Sequence, residues 1–153
     1  MKTMKALVKT ARGNGNMEIQ DVPEPEQIGP DEVKVEVKTA GICGSDLHIF
    51  HDDIAIALNP PVVPGHEFSG IITAVGEDVT GWNVGDRVVP ELGFTLCGEC
   101  YACRHRLVNL CDNRKSVGYW YNGGFTKYSV VKASGLHRLP DIVSFEEDRK
   151  SVV

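Results

Sequence analysis

Four of the five cysteines fall within one short stretch, at Cys97, Cys100, Cys103 and Cys111, spaced C-x2-C-x2-C-x7-C. Thiolates at such intervals can converge on one tetrahedral cation, and zinc held by four sulfurs has its coordination sphere closed. A closed sphere has no place for substrate, so this cluster reads as structural. Two other chemistries use the same residues. Disulfides would need cysteines three apart to bridge within a tight knuckle, which their geometry disfavours, and nothing in the chain indicates secretion. An iron–sulfur run also opens C-x2-C-x2-C, but it continues x3-C-Pro, whereas here the gap is seven residues and Asp112 follows.

The fifth cysteine, Cys43, stands apart, and His66 and Glu67 follow it along the chain. One thiolate, one imidazole and one carboxylate make the donor set of an open zinc site, with the remaining position left to water or substrate. The same residues are equally read as a small buried hydrophobe and an ordinary polar histidine. His51, His105 and His137 read as solvated or structural.

Short strands must position these residues. Alternation and turn residues predict strands over 5–10 and 17–22 around a Gly-Asn-Gly-Asn turn, then a proline-marked connection through Pro23, Pro25 and Pro30. The clearest strand is 32–38, where Val33, Val35 and Val37 alternate with charged residues. It leads into Gly41-Ile42-Cys43-Gly44-Ser45-Asp46-Leu47-His48, where Ser45 is expected to cap a short helix, with Asp46 in its first turn. Ser45 and His48 would then share one helical face. Further strands are expected over 68–75, 87–90, 125–131 and 136–139, with the cysteine lobe over 93–113 and an aromatic loop over 118–124. Such short strands with Gly and Pro punctuation predict a mainly β domain with short helices, a barrel or a sandwich. Ser144-Phe145-Glu146-Glu147 is a capping box that announces a helix with only six residues left to run, which predicts a truncated chain.

Composition narrows the class. The 153 residues suffice for one domain, and 42% hydrophobic with 24% charged residues describes a globular protein. A net charge of −5 without a long basic run argues against a nucleic-acid partner. The N-terminus leads into mixed polar sequence, so no signal peptide is expected, and no apolar stretch is long enough to span a membrane. Cysteines spaced for metal fit a reducing, cytoplasmic setting.

Read together and in order, Gly41-Ile42-Cys43-Gly44-Ser45-Asp46, Gly65-His66-Glu67, Val84-Gly85-Asp86-Arg87-Val88 and the four-cysteine lobe resemble the catalytic domain of zinc-dependent medium-chain alcohol and polyol dehydrogenases. Asp46-Leu47-His48 and Leu139-Pro140-Asp141 look most like the sorbitol (iditol) and 2,3-butanediol dehydrogenase branch. The resemblance implies a GroES-like, partly open β-barrel over residues 1–147 with the four-cysteine zinc lobe projecting from it. It implies catalytic zinc at Cys43 and His66, with Glu67 a ligand or a close neighbour, and structural zinc at Cys97, Cys100, Cys103 and Cys111. Ser45 and His48 match a proton relay from the substrate hydroxyl, and Asp46 a carboxylate beside the metal. Phe50 and Phe94 are candidates for the substrate pocket or for core packing.

By the same resemblance, the protein would oxidise a small polyol or secondary alcohol to a ketone by hydride transfer to NAD(P). The Gly-rich dinucleotide motif of a Rossmann domain is absent from the chain, and the branch's late glutamate has no counterpart at Val152, so 148–153 reads as a divergent tail. The expectation is a catalytic-domain fragment, inactive alone, that self-associates as a homo-oligomer through an apolar face. The rival expectations are a stand-alone zinc-stabilised β-barrel interaction module and an iron–sulfur electron-transfer protein.

Overall fold

The structure, a computed structural model, describes residues 2–147 apart from the side chain of Phe94; the tail at 148–153 lies outside the described residues. Strands β1 (Thr3–Lys9) and β2 (Met17–Pro23) form the expected hairpin, with Thr3 opposite Pro23 and Lys9 opposite Met17. Then come β3 (Glu32–Gly41), helix α1 (Gly44–His51), β4 (Glu67–Val75) and β5 (Arg87–Pro90). A small pair, β6 (Gly93–Thr95) and β7 (Lys115–Ser116), brackets the cysteine lobe with its one-turn helix α2 (Tyr101–Arg104). Strands β8 (Tyr128–Lys132) and β9 (Leu136–Arg138) close the fold.

Five strands make one antiparallel sheet in the order β8-β3-β4-β5-β9. The β1–β2 hairpin lies outside that ladder and is stitched to the rest by bridges from Ala6 to Thr126 and from Lys9 to Val62. The result is the mainly β, partly open arrangement expected from the sequence. β3 lies between β8 and β4, and its alternating side chains put Val33 and Val35 on the one face that meets the core. Val33 and Val35 are fully buried among Phe68, Ile72, Val88, Val117, Val131 and Leu136, and Val37 packs at the edge of this core.

Two features of the backbone bear on the site. Register shifts between Lys34 and Val35 and between Val37 and Thr39 carry β3 to a pairing of Gly41 with Glu67. The end of β3 and the start of β4 are therefore side by side. The second feature is Lys9, whose side chain is fully buried. Its ammonium donates to the carbonyls of Gly13 and Gly15 at 2.6 Å and of Phe50 at 3.2 Å, so each of its three hydrogens has an acceptor. With Asp52 accepting from the Gly13 N–H at 2.6 Å and pairing with Arg12, the hairpin turn is bolted to the C-terminal end of α1.

The capping box at the chain's end forms reciprocally. The Ser144 N–H donates to Glu147 at 2.9 Å and the Glu147 N–H to Ser144 Oγ at 3.2 Å.

Candidate metal centres and active site

The Gly41–Glu67 pairing sets Cys43, two residues past the end of β3, beside His66, the residue before β4. The ligand atoms of Cys43, His66 and Glu67 lie within 4.8 Å of one another, His66 buried and the other two partly so. Three residues separated in sequence thus meet because two antiparallel strands end together.

The helix after Cys43 does not begin as expected. Its N-cap is Cys43, with Ser45 already the second helical residue. Asp46 occupies the third position, and its Oδ2 accepts from the Cys43 N–H at 2.8 Å, one arm of a capping box. The carboxylate reaching back from Asp46, rather than the hydroxyl of Ser45, decides where the helix starts. Freed from capping, Ser45 Oγ lies 3.0 Å from His66 Nε2.

Asp46 has a second role. It is 5% exposed, and its other oxygen lies 3.5 Å from His66 Nδ1. Neither atom has another hydrogen-bond partner. A carboxylate behind the far nitrogen fixes the tautomer that turns Nε2 toward a metal, the usual support of a metal-ligating histidine. Burial pushes the His66 imidazole down, but Asp46 and the facing Cys43 sulfur outweigh it and the net shift is upward. The Cys43 thiol is lowered, chiefly by the Ser45 hydroxyl, then by the Ser45 N–H and by His66. Both shifts arise because an imidazole and a sulfur face each other and share a proton, which a bound cation would displace.

Tyr119, in the aromatic loop, has no role in the sequence reading. The structure buries it, 3% exposed, with its hydroxyl donating to Ser45 Oγ at 3.0 Å and lying 3.4 Å from His66 Nε2. Its ring packs with Ile49, Leu58 and Val62, and burial raises its phenol. No local periodicity marks it, because its place depends on a backbone crossing. Gly118, with φ +81°, and Gly123 both lie against the Gly65 carbonyl, so closely that a Cβ on Gly123 would collide with it. His48 lies elsewhere, at the surface, with Nδ1 2.9 Å from Asp53 Oδ1. Phe50 is 40% exposed with its ring edge-on to His51, so it is not a core residue. His51, His105 and His137 are exposed and pair with Asn14, the Tyr101 carbonyl and Glu91.

In the lobe, the sulfurs of Cys97, Cys100, Cys103 and Cys111 lie within 4.8 Å of one another, and all five cysteines are free thiols. Cys97 Sγ is 3.9 Å from Cys103 Sγ and 3.6 Å from Cys111 Sγ. A tetrahedral zinc with bonds of about 2.3 Å would hold its sulfurs about 3.8 Å apart, so the spacing fits. The knuckle turns at Gly98, φ +76°, aiming backbone N–H groups at sulfur. The Cys100 and Glu99 N–H groups bring the Cys97 thiol down to about 6. Burial, with the other sulfurs facing it, pushes Cys103 up to about 12. Four sulfurs crowded this closely cannot all ionise without a cation between them.

Residues 29–141 match the alcohol dehydrogenase GroES-like domain. The chain belongs to that family. Among its relatives within the family, the sorbitol dehydrogenase of Halalkalibacterium halodurans is 47% identical over 137 residues, which are 90% of this chain and 39% of that protein. The 2R,3R-butanediol dehydrogenase of Bacillus subtilis is similar in structure, with TM-score 0.81 and 36% identity over 95% of this chain and 43% of that one. So is a short chain alcohol dehydrogenase of E. coli CFT073 complexed with NADH, with TM-score 0.84 and 35% identity over 97% and 42% of the two chains. This GroES-like chain spans about two fifths of the length of the relatives it matches. Among the described residues, no helix is long and apolar enough to cross a membrane.

Proposed function

We propose that this chain is the metal-holding catalytic domain of a dehydrogenase that oxidises a polyol or secondary alcohol to a ketone, over residues 1–147. The observation that carries the reading is the convergence of Cys43, His66 and Glu67 with Asp46 behind the imidazole. Cys43 Sγ and His66 Nε2 would hold a catalytic zinc, with Glu67 as third ligand or close neighbour. Cys97, Cys100, Cys103 and Cys111 would hold a structural one. Bound there, zinc supplies a Lewis acid that lowers the pKa of an alcohol oxygen.

The chain's own residues do the rest. Asp46 keeps the His66 tautomer and the start of α1 in place. Ser45 stands beside the ligands to receive the proton of the substrate hydroxyl, and exposed His48, backed by Asp53, releases it to water. Hydride would pass to NAD(P) held by a Rossmann domain outside this sequence, and the working protein would be a cytoplasmic homo-oligomer without nucleic-acid or membrane partners. The relatives named for sorbitol and butanediol support the substrate class, and the relative solved with NADH supports the acceptor.

The test compares this chain alone with the same chain joined to a family Rossmann half, measuring NADH and NADPH formation on sorbitol, 2,3-butanediol and related alcohols. Activity is expected only in the joined protein, because near-attack positioning of alcohol and nicotinamide contributes up to ~7–11 kcal/mol and needs both halves. A joined, zinc-loaded protein inert toward every alcohol would overturn the reading, as would turnover by residues 1–153 alone.

A further inference from the structure

On that reading of the site, we propose that Tyr119 is its positioning residue: the buried phenol donates to Ser45 Oγ and leaves the serine one accepting lone pair and one outgoing hydrogen. A serine hydroxyl carries one hydrogen and two lone pairs, and its rotor is free unless a partner fixes it. Ser45 is partly exposed on the first turn of a helix, and within its own element its hydroxyl meets only the Cys43 sulfur at the N-cap. The Tyr119 hydroxyl holds it, from 3.0 Å.

The phenol is itself held. The ring lies in an apolar cluster of Ile49, Leu58 and Val62, and its centroid is 5.0 Å from that of His66. Its backbone is pinned where Gly118 and Gly123 meet the Gly65 carbonyl. Tyr119 is thus a fixed donor aimed at a movable acceptor. With the Tyr119 hydrogen in one lone pair, Ser45 can take one further hydrogen and give one away, a one-in, one-out relay whose direction is set before substrate arrives. The outgoing hydrogen has two groups within reach, the Cys43 sulfur and His66 Nε2, the latter 3.0 Å from Oγ. With both of these given to a metal, the hydroxyl would turn toward the open side of the site.

The test is NMR on the 153-residue chain loaded with zinc, comparing wild type with Tyr119→Phe. Phenylalanine keeps the ring, its packing and the fold. The unequal Hα–Hβ couplings of a single Ser45 rotamer are expected in wild type and should merge to averaged values in the variant. Reciprocally, Ser45→Ala should move the Tyr119 Cζ resonance, a measurement that stands even if Tyr119→Phe folds poorly. In the protein joined to a Rossmann half, Tyr119→Phe should lower kcat about tenfold, and should lower it no further in a Ser45→Ala background. Unchanged Ser45 couplings, an unmoved Tyr119 resonance or additive losses in the double variant would each overturn the proposal. The couplings do not depend on turnover, so an inert enzyme with a fixed Ser45 would count against the dehydrogenase reading and not against the role of Tyr119.

Discussion

Asp46 Oδ1 faces His66 Nδ1 at 3.5 Å, both atoms shut off from water and neither with another partner. The same carboxylate caps α1 through the Cys43 N–H. One side chain therefore serves both proposed ligand residues, through the imidazole of His66 and the backbone N–H of Cys43. Removing its charge while keeping its shape should loosen both. Asp46→Asn is expected to weaken metal binding at Cys43 and His66 about 10- to 100-fold and leave the four-cysteine lobe loaded. Competition with a graded chelator, reading the two metal equivalents separately, checks this; an unchanged affinity would deny Asp46 any orienting role.

The two proposed metal centres share no side chain and sit on different elements, so they should empty independently. Cys43→Ala is expected to cost about one equivalent of zinc by elemental analysis, and Cys103→Ser a different one. Loss of both metals from either variant would show the sites to be coupled. Visible colour and iron in the purified chain would point to an iron–sulfur centre in the lobe instead.

Gly65 precedes His66 with φ +91°, and a Cβ there would lie 2.7 Å from the Phe125 ring and 2.8 Å from its backbone nitrogen. Gly65→Ala should destabilise the fold by roughly 1–3 kcal/mol from backbone strain alone. Because His66 is the next residue, metal affinity at that site should fall as well. Thermal melts with a chelator titration measure both, and a melting point unchanged within error would contradict the crossing.

Asp86 accepts hydrogen bonds from Arg138 and from the Asn83 N–H, each at 2.9 Å, and Arg138 in turn stacks over Trp82. The guanidinium first, then the N–H, holds the carboxyl below its ordinary value of 3.8. A depressed carboxylate contributes stability that is present above the unfolded pKa and lost as pH falls through the folded one. Asp86→Asn should therefore lower the melting temperature at pH 6 by roughly 2–4 °C, for a partly screened pair worth about 1 kcal/mol. Near pH 3 and below the difference should shrink toward zero, as wild-type Asp86 takes up its proton. An equal difference at both pH values would assign the effect to packing instead.

The two clusters of donor side chains were legible in the sequence because donor chemistry and spacing constrain them tightly: cysteines three apart in a knuckle have few other uses, and Cys43 and His66 stand beside glycines at strand ends. The strands were legible for a similar reason, as with Val33 and Val35, whose alternation is forced by one buried face. Ser45 shows where local preference misleads. Serine is the better N-cap by propensity, but Asp46 at the third position of α1 reaches back to Cys43 and moves the helix start two residues upstream. Tyr119 and Lys9 were illegible for another reason. An aromatic in a glycine-rich loop and a lysine at a strand end gain their roles only from long-range crossings, with Gly65 in one case and Phe50 in the other.

The glycine crossing at Gly65 also divides this site into a part that can vary and a part that cannot. Gly65, Gly118 and Gly123 leave no room for even a methyl group, so the segment carrying His66 has one permitted path. Helix α1 is different. Ile42, Leu47 and Phe50 on or beside it are exposed, as is Ile56 in the segment that follows. Mutational drift, or a library built in the laboratory, can exchange those side chains without disturbing the path of a single ligand. Side chains on the outer face of the helix are therefore free to diverge while the path that carries His66 is inherited unchanged.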